Sequence, residues 1–157
     1  MIKAPPFTGT TVREAREYVK LHAQAGLRCP CCNRINKIYK YNIVSTMVQA
    51  LAWACRQSDP LVNNGWVDFP ETGSRDKQRF RNHPKLQYWG LLERRKDKKK
   101  GEVSSGLWRP TVFGREFMAG RTQLAQFAYV YNNRVLSMSK ERVDIEACRG
   151  HFDLSQV

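Results

Sequence analysis

Two groups of residues in this chain have types and spacings that chemistry can use. The first is Cys29-Pro30-Cys31-Cys32. Cys29 and Cys32 have the Cys-x-x-Cys spacing that lets two thiolates reach one Zn²⁺ from a tight turn, as in structural zinc sites. One such pair is half a site. Cys148-Arg149-Gly150-His151 has Cys-x-x-His spacing, so Cys148 and His151 are the weaker candidates for the other half, and His22 is a further one. The alternative is a set of ordinary reduced thiols. A thioredoxin-like redox role lacks its flanking strand and helix. Zinc deaminase chemistry lacks His-x-Glu, and Pro30 lies inside the cysteine pair rather than before it. Cys55 lies in an apolar stretch and reads as a small core residue.

The second group is basic. Residues 75–100 hold eleven Lys and Arg (Arg75, Lys77, Arg79, Arg81, Lys85, Arg94, Arg95, Lys96, Lys98, Lys99 and Lys100) against Asp76, Glu93 and Asp97. That excess of eight is more than half of the net charge of +13, carried by a sixth of the 157 residues. Cations at this density meet phosphates, and counterion release makes such binding salt-sensitive. Base edges are read by forked or amide side chains, for which Arg75, Gln78, Arg79 and Asn82 are the candidates. The bland alternative is a solvated hairpin tip on a basic, soluble surface.

Catalytic signatures are missing. His22, His83 and His151 have no neighbouring nucleophile or metal-hydrolase motif, and no Gly-rich phosphate loop precedes a Lys-Ser/Thr. His83 reads as an exposed loop residue. Asp68, Glu71 and Asp76 are near in sequence, but nothing sets them on one face for a nuclease-like site. The chain is therefore expected not to be an enzyme.

These groups need elements to hold them. Thr11-Val12-Arg13-Glu14 is a capping box, and the apolar spacing that follows predicts a helix over 12–25, ended at Gly26. The cysteine turn follows, then a short strand within 35–41. Asn42 or Ser45 caps a helix to about Gln57 that is apolar on nearly every side and so belongs in the core. Residues 66–69 are a short strand. Residues 75–89 read as one helix kinked at Pro84 or as two short helices. A strand at 91–95, a charged loop at 96–106, a return strand ending at Arg109 and a helix from Thr111 to Met118 complete this region. Pro110 must lie at an edge or strand end. Trp89 and Trp108 are candidates to pack at the hairpin base, and a stacking platform for single strands is a lesser reading of the tryptophans. Asn132-Asn133 suits a tight hairpin turn between 127–131 and 134–136, and 139–157 is expected to hold a short helix and a tail.

The order from residue 43 is helix, strand, basic helix, strand, basic loop, strand, helix. This is the layout of a winged helix-turn-helix, in which a recognition helix enters the major groove and a hairpin wing touches backbone. The expected fold class is thus α+β: a winged-helix core at 42–120, an N-terminal helix and cysteine turn at 1–41, and a C-terminal hairpin plus short helix at 121–157 packed on the core.

Several motifs also resemble a group of small bacteriophage proteins of unassigned function. They are Cys-Pro-x-Cys at 29–32, Ser45-Thr46-Met47 with Ala50-Leu51, Tyr88-Trp89-Gly90-Leu91-Leu92-Glu93, Trp108-Arg109-x-Thr111-x-x-Gly114-x-x-Phe117, and Tyr129-x-Tyr131-Asn132-Asn133. The resemblance spans about residues 28 to 154. It departs at Asn33, where Gly is usual, and at the extra thiol Cys31. It implies phage origin, a DNA-binding role and the host cytoplasm as location.

Double-stranded DNA is therefore the expected partner, with RNA or single-stranded DNA next. A host protein is the expected partner if the chain is instead a protein-binding module that inhibits or redirects host machinery or a defence complex. A homodimer is compatible with the pattern. No apolar run approaches a membrane span and no signal-peptide core opens the chain, so a cytoplasmic protein without a membrane partner is expected. Five cysteines, an odd number, fit a reducing compartment.

Overall fold

The computed structural model describes residues 11–69, 80–96 and 106–150. The chain is mixed α and β, with short helices and small antiparallel sheets. It divides into two compact units, one of residues 1–41 with 128–138, the other of 42–127 with 139–157.

In the first unit, α1 (Val12–Leu21) starts where the capping box requires. The Thr11 hydroxyl oxygen accepts from Glu14 N–H at 3.3 Å, and Thr11 N–H donates to the Glu14 carboxylate at 2.7 Å. The helix stops four residues short of the expected 25. Residues 22–25 are turn, and Gly26 follows at φ +75°. Only Ala15 and Val19 of α1 are buried, so little packing holds another turn against fraying. Strands β1 (Leu27–Arg28) and β2 (Ile35–Asn36) then pair antiparallel around the cysteine turn. Strand β3 (Tyr39–Asn42) is one edge of a three-stranded sheet, with β8 (Phe127–Tyr131) central and β9 (Arg134–Met138) at the other edge. Asn132 and Asn133, at φ +46° and +63°, turn the β8–β9 hairpin, the backbone that two-residue hairpin turns need.

The second unit is built on α2 (Ser45–Gln57), where Met47, Val48, Ala50, Leu51, Ala52 and Ala54 are buried. Neither Asn42 nor Ser45 caps it. Val44 holds the N-cap position without a side-chain hydrogen bond, so burial rather than capping sets this helix. It packs against a 3-10 helix at His83–Trp89, strand β6 (Leu107–Pro110), α3 (Val112–Met118) and α4 (Ile145–Arg149). Strand β4 (Val67–Asp68) and strand β5 (Leu92–Arg94) flank β6 in the order β4-β6-β5, both antiparallel to it. Pro110 ends the central strand opposite Leu92, so its missing N–H costs no interior ladder bond. Two unexpected short strands, β7 (Leu124–Ala125) and β10 (Arg142–Val143), pair with each other.

The motif Trp108-Arg109-x-Thr111-x-x-Gly114-x-x-Phe117 joins β6 to α3 and β5. Thr111 Oγ1 accepts from Gly114 N–H at 3.0 Å as the α3 N-cap, and donates to Gly90 C=O at 2.6 Å. A Cβ at Gly114 would collide with the Leu91 carbonyl oxygen, so the close approach of α3 to the start of β5 requires glycine. Phe117 is fully buried. These residues position the strand pair that carries the basic side chains.

Candidate nucleic-acid interface

Among the described residues, the candidate interface begins at residue 80. Gly90 closes the 3-10 helix in the left-handed conformation, φ +70°, and turns the chain directly into β5. Pro84 sits in the first turn of this 3-10 helix, where a missing N–H is harmless. Residues 83–89 are thus 3-10 rather than α, and they bury Leu86 and Trp89. Trp89 Nε1–H donates to Ala125 C=O at 2.7 Å, which anchors the 3-10 helix within the unit.

Of the expected contact residues, Arg81 is exposed, Asn82 precedes the 3-10 helix, and Lys85 donates from Nζ to Asn82 Oδ1 at 3.0 Å. Asn82 is thereby occupied by a neighbour's charge. Arg94, Arg95 and Lys96 are exposed as β5 leaves the sheet, and Arg95 N–H extends the ladder to Leu107 C=O at 3.0 Å. Arg75, Lys77, Gln78, Arg79, Lys98, Lys99 and Lys100 lie outside the described residues, as do Glu71, Asp76 and His151.

An aromatic cluster fixes the base of the strand pair, and His83 is part of it. The His83 ring stacks on Phe69, with centroids 3.9 Å apart and planes at 10°, and meets Trp108 edge-on at 5.1 Å. Phe69 and Phe80 in turn contact Trp53 of α2 at 4.9 and 5.3 Å. His83 Nδ1 lies 2.8 Å from Phe80 C=O. The exposed histidine expected from the sequence is therefore half-buried, because its ring fills a slot between Phe69 and Trp108. Burial pushes its pKa below the usual 6.5; the Phe80 carbonyl opposes this, and the Arg94 charge adds to it. The Arg94 guanidinium lies 5.6 Å from the Trp108 ring centre, an exposed cation–π contact worth about 0.5–1 kcal/mol. Trp108 thus meets His83 and Arg94, while Trp89 is bonded to Ala125.

Two arginines outside the expected set have structural work. Arg109 faces Glu93 across the strands, with an ion pair of 2.6 Å, and lies over Trp66 at 4.5 Å. Arg115 donates to Cys55 C=O at 3.3 Å, Ser58 C=O at 3.3 Å and Ser58 Oγ at 2.9 Å, and Ser58 Oγ–H donates to Gly65 C=O at 2.7 Å. No local pattern in the sequence marks Arg115, since its partners are 57 and 60 residues away.

In the first unit, the cysteine turn is a tight hairpin end. Cys29 N–H donates to Arg34 C=O at 2.7 Å, Asn33 N–H donates to Cys29 C=O at 2.9 Å, and Asn33 takes the left-handed backbone at φ +57°. That conformation is open to Asn as well as Gly. Backbone N–H groups of Cys32 and Cys31 favour the Cys29 thiolate and hold its pKa below the usual thiol value. Cys31 and Cys32 are exposed. His22 Nδ1 lies 2.9 Å from Tyr18 C=O. In the second unit, Cys148 is buried on α4, and burial together with the Asp144 charge pushes its pKa up to about 11. Among the described residues, no group of three or more His, Cys, Asp or Glu side chains is placed to hold a metal ion. Asp68, the one member of the acidic trio within the described residues, is exposed on β4 opposite Leu107.

Comparison with protein-family models, curated proteins and solved structures found no match. Among the described residues, no helix is long and apolar enough to cross a membrane.

Proposed function

We propose that the second unit is a winged helix that binds double-stranded DNA, in a phage-encoded regulator. The observation that carries this reading is the strand order β4-β6-β5 after a buried helix, with Arg94, Arg95 and Lys96 exposed where β5 leaves the sheet. In a winged helix, the wing lies against the DNA backbone. Lys98, Lys99 and Lys100 extend the same run in sequence. The segment 75–82 is the groove-reading element in this reading, because residues 83–89 spend Leu86 and Trp89 on the core. The aromatic cluster of Phe69, His83 and Trp108 acts as a rigid base for the wing. Replacing Lys98, Lys99 and Lys100 together with Ala is expected to weaken binding to all duplex sequences and lower the salt slope. Unchanged affinity and slope would remove the wing from the mechanism.

Zn²⁺ at Cys29 and Cys32 belongs to the proposal as a stabiliser of the first unit. The amide-supported Cys29 thiolate supports that role. A second reading, a module that binds a host protein, draws on β9. Its five residues are all exposed on a sheet edge, with Leu136 55% exposed, and such an edge can accept a partner's strand. Purification decides between the readings: host nucleic acid accompanying the protein favours the first, and one stoichiometric host protein favours the second.

A further inference from the structure

Cys29 and Cys32 are half of a tetrahedral site, and their place in the fold bears on what completes it. They lie in the turn that closes the β1–β2 ribbon, between Leu27–Arg28 and Ile35–Asn36. Two backbone bonds lock that turn, from Cys29 N–H to Arg34 C=O and from Asn33 N–H to Cys29 C=O. Residues 31–35 are all exposed, and Cys29 is half-buried. Backbone N–H groups of Cys31 and Cys32 donate to the Cys29 sulfur, and the Cys32 thiol is itself within hydrogen-bonding reach of that sulfur. The turn therefore holds the two sulfurs near each other at an accessible hairpin end.

A structural Zn²⁺ site takes four ligands. Among the described residues, no third His, Cys, Asp or Glu is grouped with the pair. Cys148 belongs to the second unit and is buried on α4. A second copy of the same turn supplies two further thiolates at the same spacing, and two identical patches about a twofold axis form a closed contact. Charge makes such a contact depend on the metal. From Tyr18 to Ser58 the sequence has no Asp or Glu, and Arg28 and Arg34 flank the cysteines on exposed positions. Two such turns repel each other without a metal, whereas four thiolates around one Zn²⁺ carry an excess of negative charge that the arginines offset. Ile35, opposite Arg28 and 46% exposed, adds apolar surface beside the turn. We propose that one Zn²⁺ joins two copies of this chain, with Cys29 and Cys32 of each as its four ligands. This inference rests on the zinc reading of the turn and is independent of DNA binding by the second unit.

The test follows the reduced full chain by size-exclusion chromatography with light scattering as Zn²⁺ is added, and counts the zinc bound. The molar mass is expected to double from 18.2 kDa, to saturate at one zinc per two chains, and to return to the monomer value on adding a chelator. X-ray absorption at the zinc edge should show four sulfurs at about 2.3 Å. These readouts use wild-type protein, so they do not depend on the folding of any variant. Cys29→Ser and Cys32→Ser should each lose the zinc-dependent doubling, and Cys31→Ser should keep it. A monomer that takes up one zinc per chain overturns this inference and leaves the zinc reading standing. No zinc uptake at all overturns both. A dimer that forms without zinc, or that survives the chelator, overturns the bridging role of the metal. Nitrogen or oxygen ligands at the zinc edge, or a zinc-dependent dimer retained by both Cys29→Ser and Cys32→Ser, overturn the four-cysteine assignment.

Discussion

Gly114→Ala sets two physical effects against each other. Helix propensity favours Ala over Gly by about 1 kcal/mol in a helix interior, and Gly114 lies within α3. Sterics oppose it, because the added Cβ meets the Leu91 carbonyl oxygen. That oxygen is backbone and cannot swing aside. It accepts from Thr111 N–H at 3.1 Å. Overpacking costs about 1–3 kcal/mol, and weakening that bond adds about 0.5–1.5 kcal/mol. The steric side wins, and a net loss of about 2–3 kcal/mol is expected. With a urea m-value of about 1–3 kcal/mol/M, the midpoint should fall by about 1 M. Tryptophan fluorescence is the suitable probe, since Trp53, Trp66, Trp89 and Trp108 all belong to the second unit. An unchanged or raised midpoint would show that α3 can move away from β5, and would refute the role given to this glycine.

Other expectations follow from the same contacts. Arg95→Ala with Lys96→Ala should lower the duplex salt slope by up to about 1.8, at about 0.9 per phosphate, with the melting temperature unchanged; a loss of stability without a change in slope would assign them a structural role. His83 has a folded pKa below its unfolded value of 6.5, so the unfolded chain binds the proton more readily and stability rises with pH across the interval between them. Stability should therefore fall as pH drops through about 6.5 and level off below the folded pKa, and His83→Phe should flatten that part of the profile; an unaltered profile would contradict the burial of this ring. Arg115→Met leaves Ser58 and Cys55 acceptors without their charged donor and should cost about 2–4 kcal/mol, read as a lower melting temperature. Co²⁺ added to the reduced protein should give a thiolate charge-transfer band that Cys29→Ser removes; absence of the band in wild-type protein would exclude the zinc proposal.

The elements legible in the sequence are those with a strong local cause. The capping box at Thr11 and Glu14, the all-round apolar run of α2, the Thr111 cap and the Asn132-Asn133 turn each act within a few residues, and each is found where expected. Features set by distant partners were not legible. Strands β7 and β10 are two residues each, too short to show a period of two. His83 sits in a basic, polar stretch before Pro84, which reads as surface; its slot is made by Phe69 and Trp108, 14 and 25 positions away in the chain. Nothing local in the sequence marks Arg109 or Arg115, yet Arg109 is paired with Glu93 and Arg115 bonds the end of α2. The basic cluster was legible as charge, but its division between exposed and structurally engaged cations depends on register and packing.

The most direct test of DNA binding is the affinity of the purified protein for random duplex DNA, followed by anisotropy at low and moderate salt. Exposed Arg81, Arg94, Arg95 and Lys96, with the lysines beyond them, are expected to give tight binding at low salt that weakens steeply as salt rises, with a log–log slope of about −4 to −6 at about 0.9 per phosphate contact. Absence of binding at low salt, or an affinity that salt does not change, would contradict a DNA-binding role for the second unit.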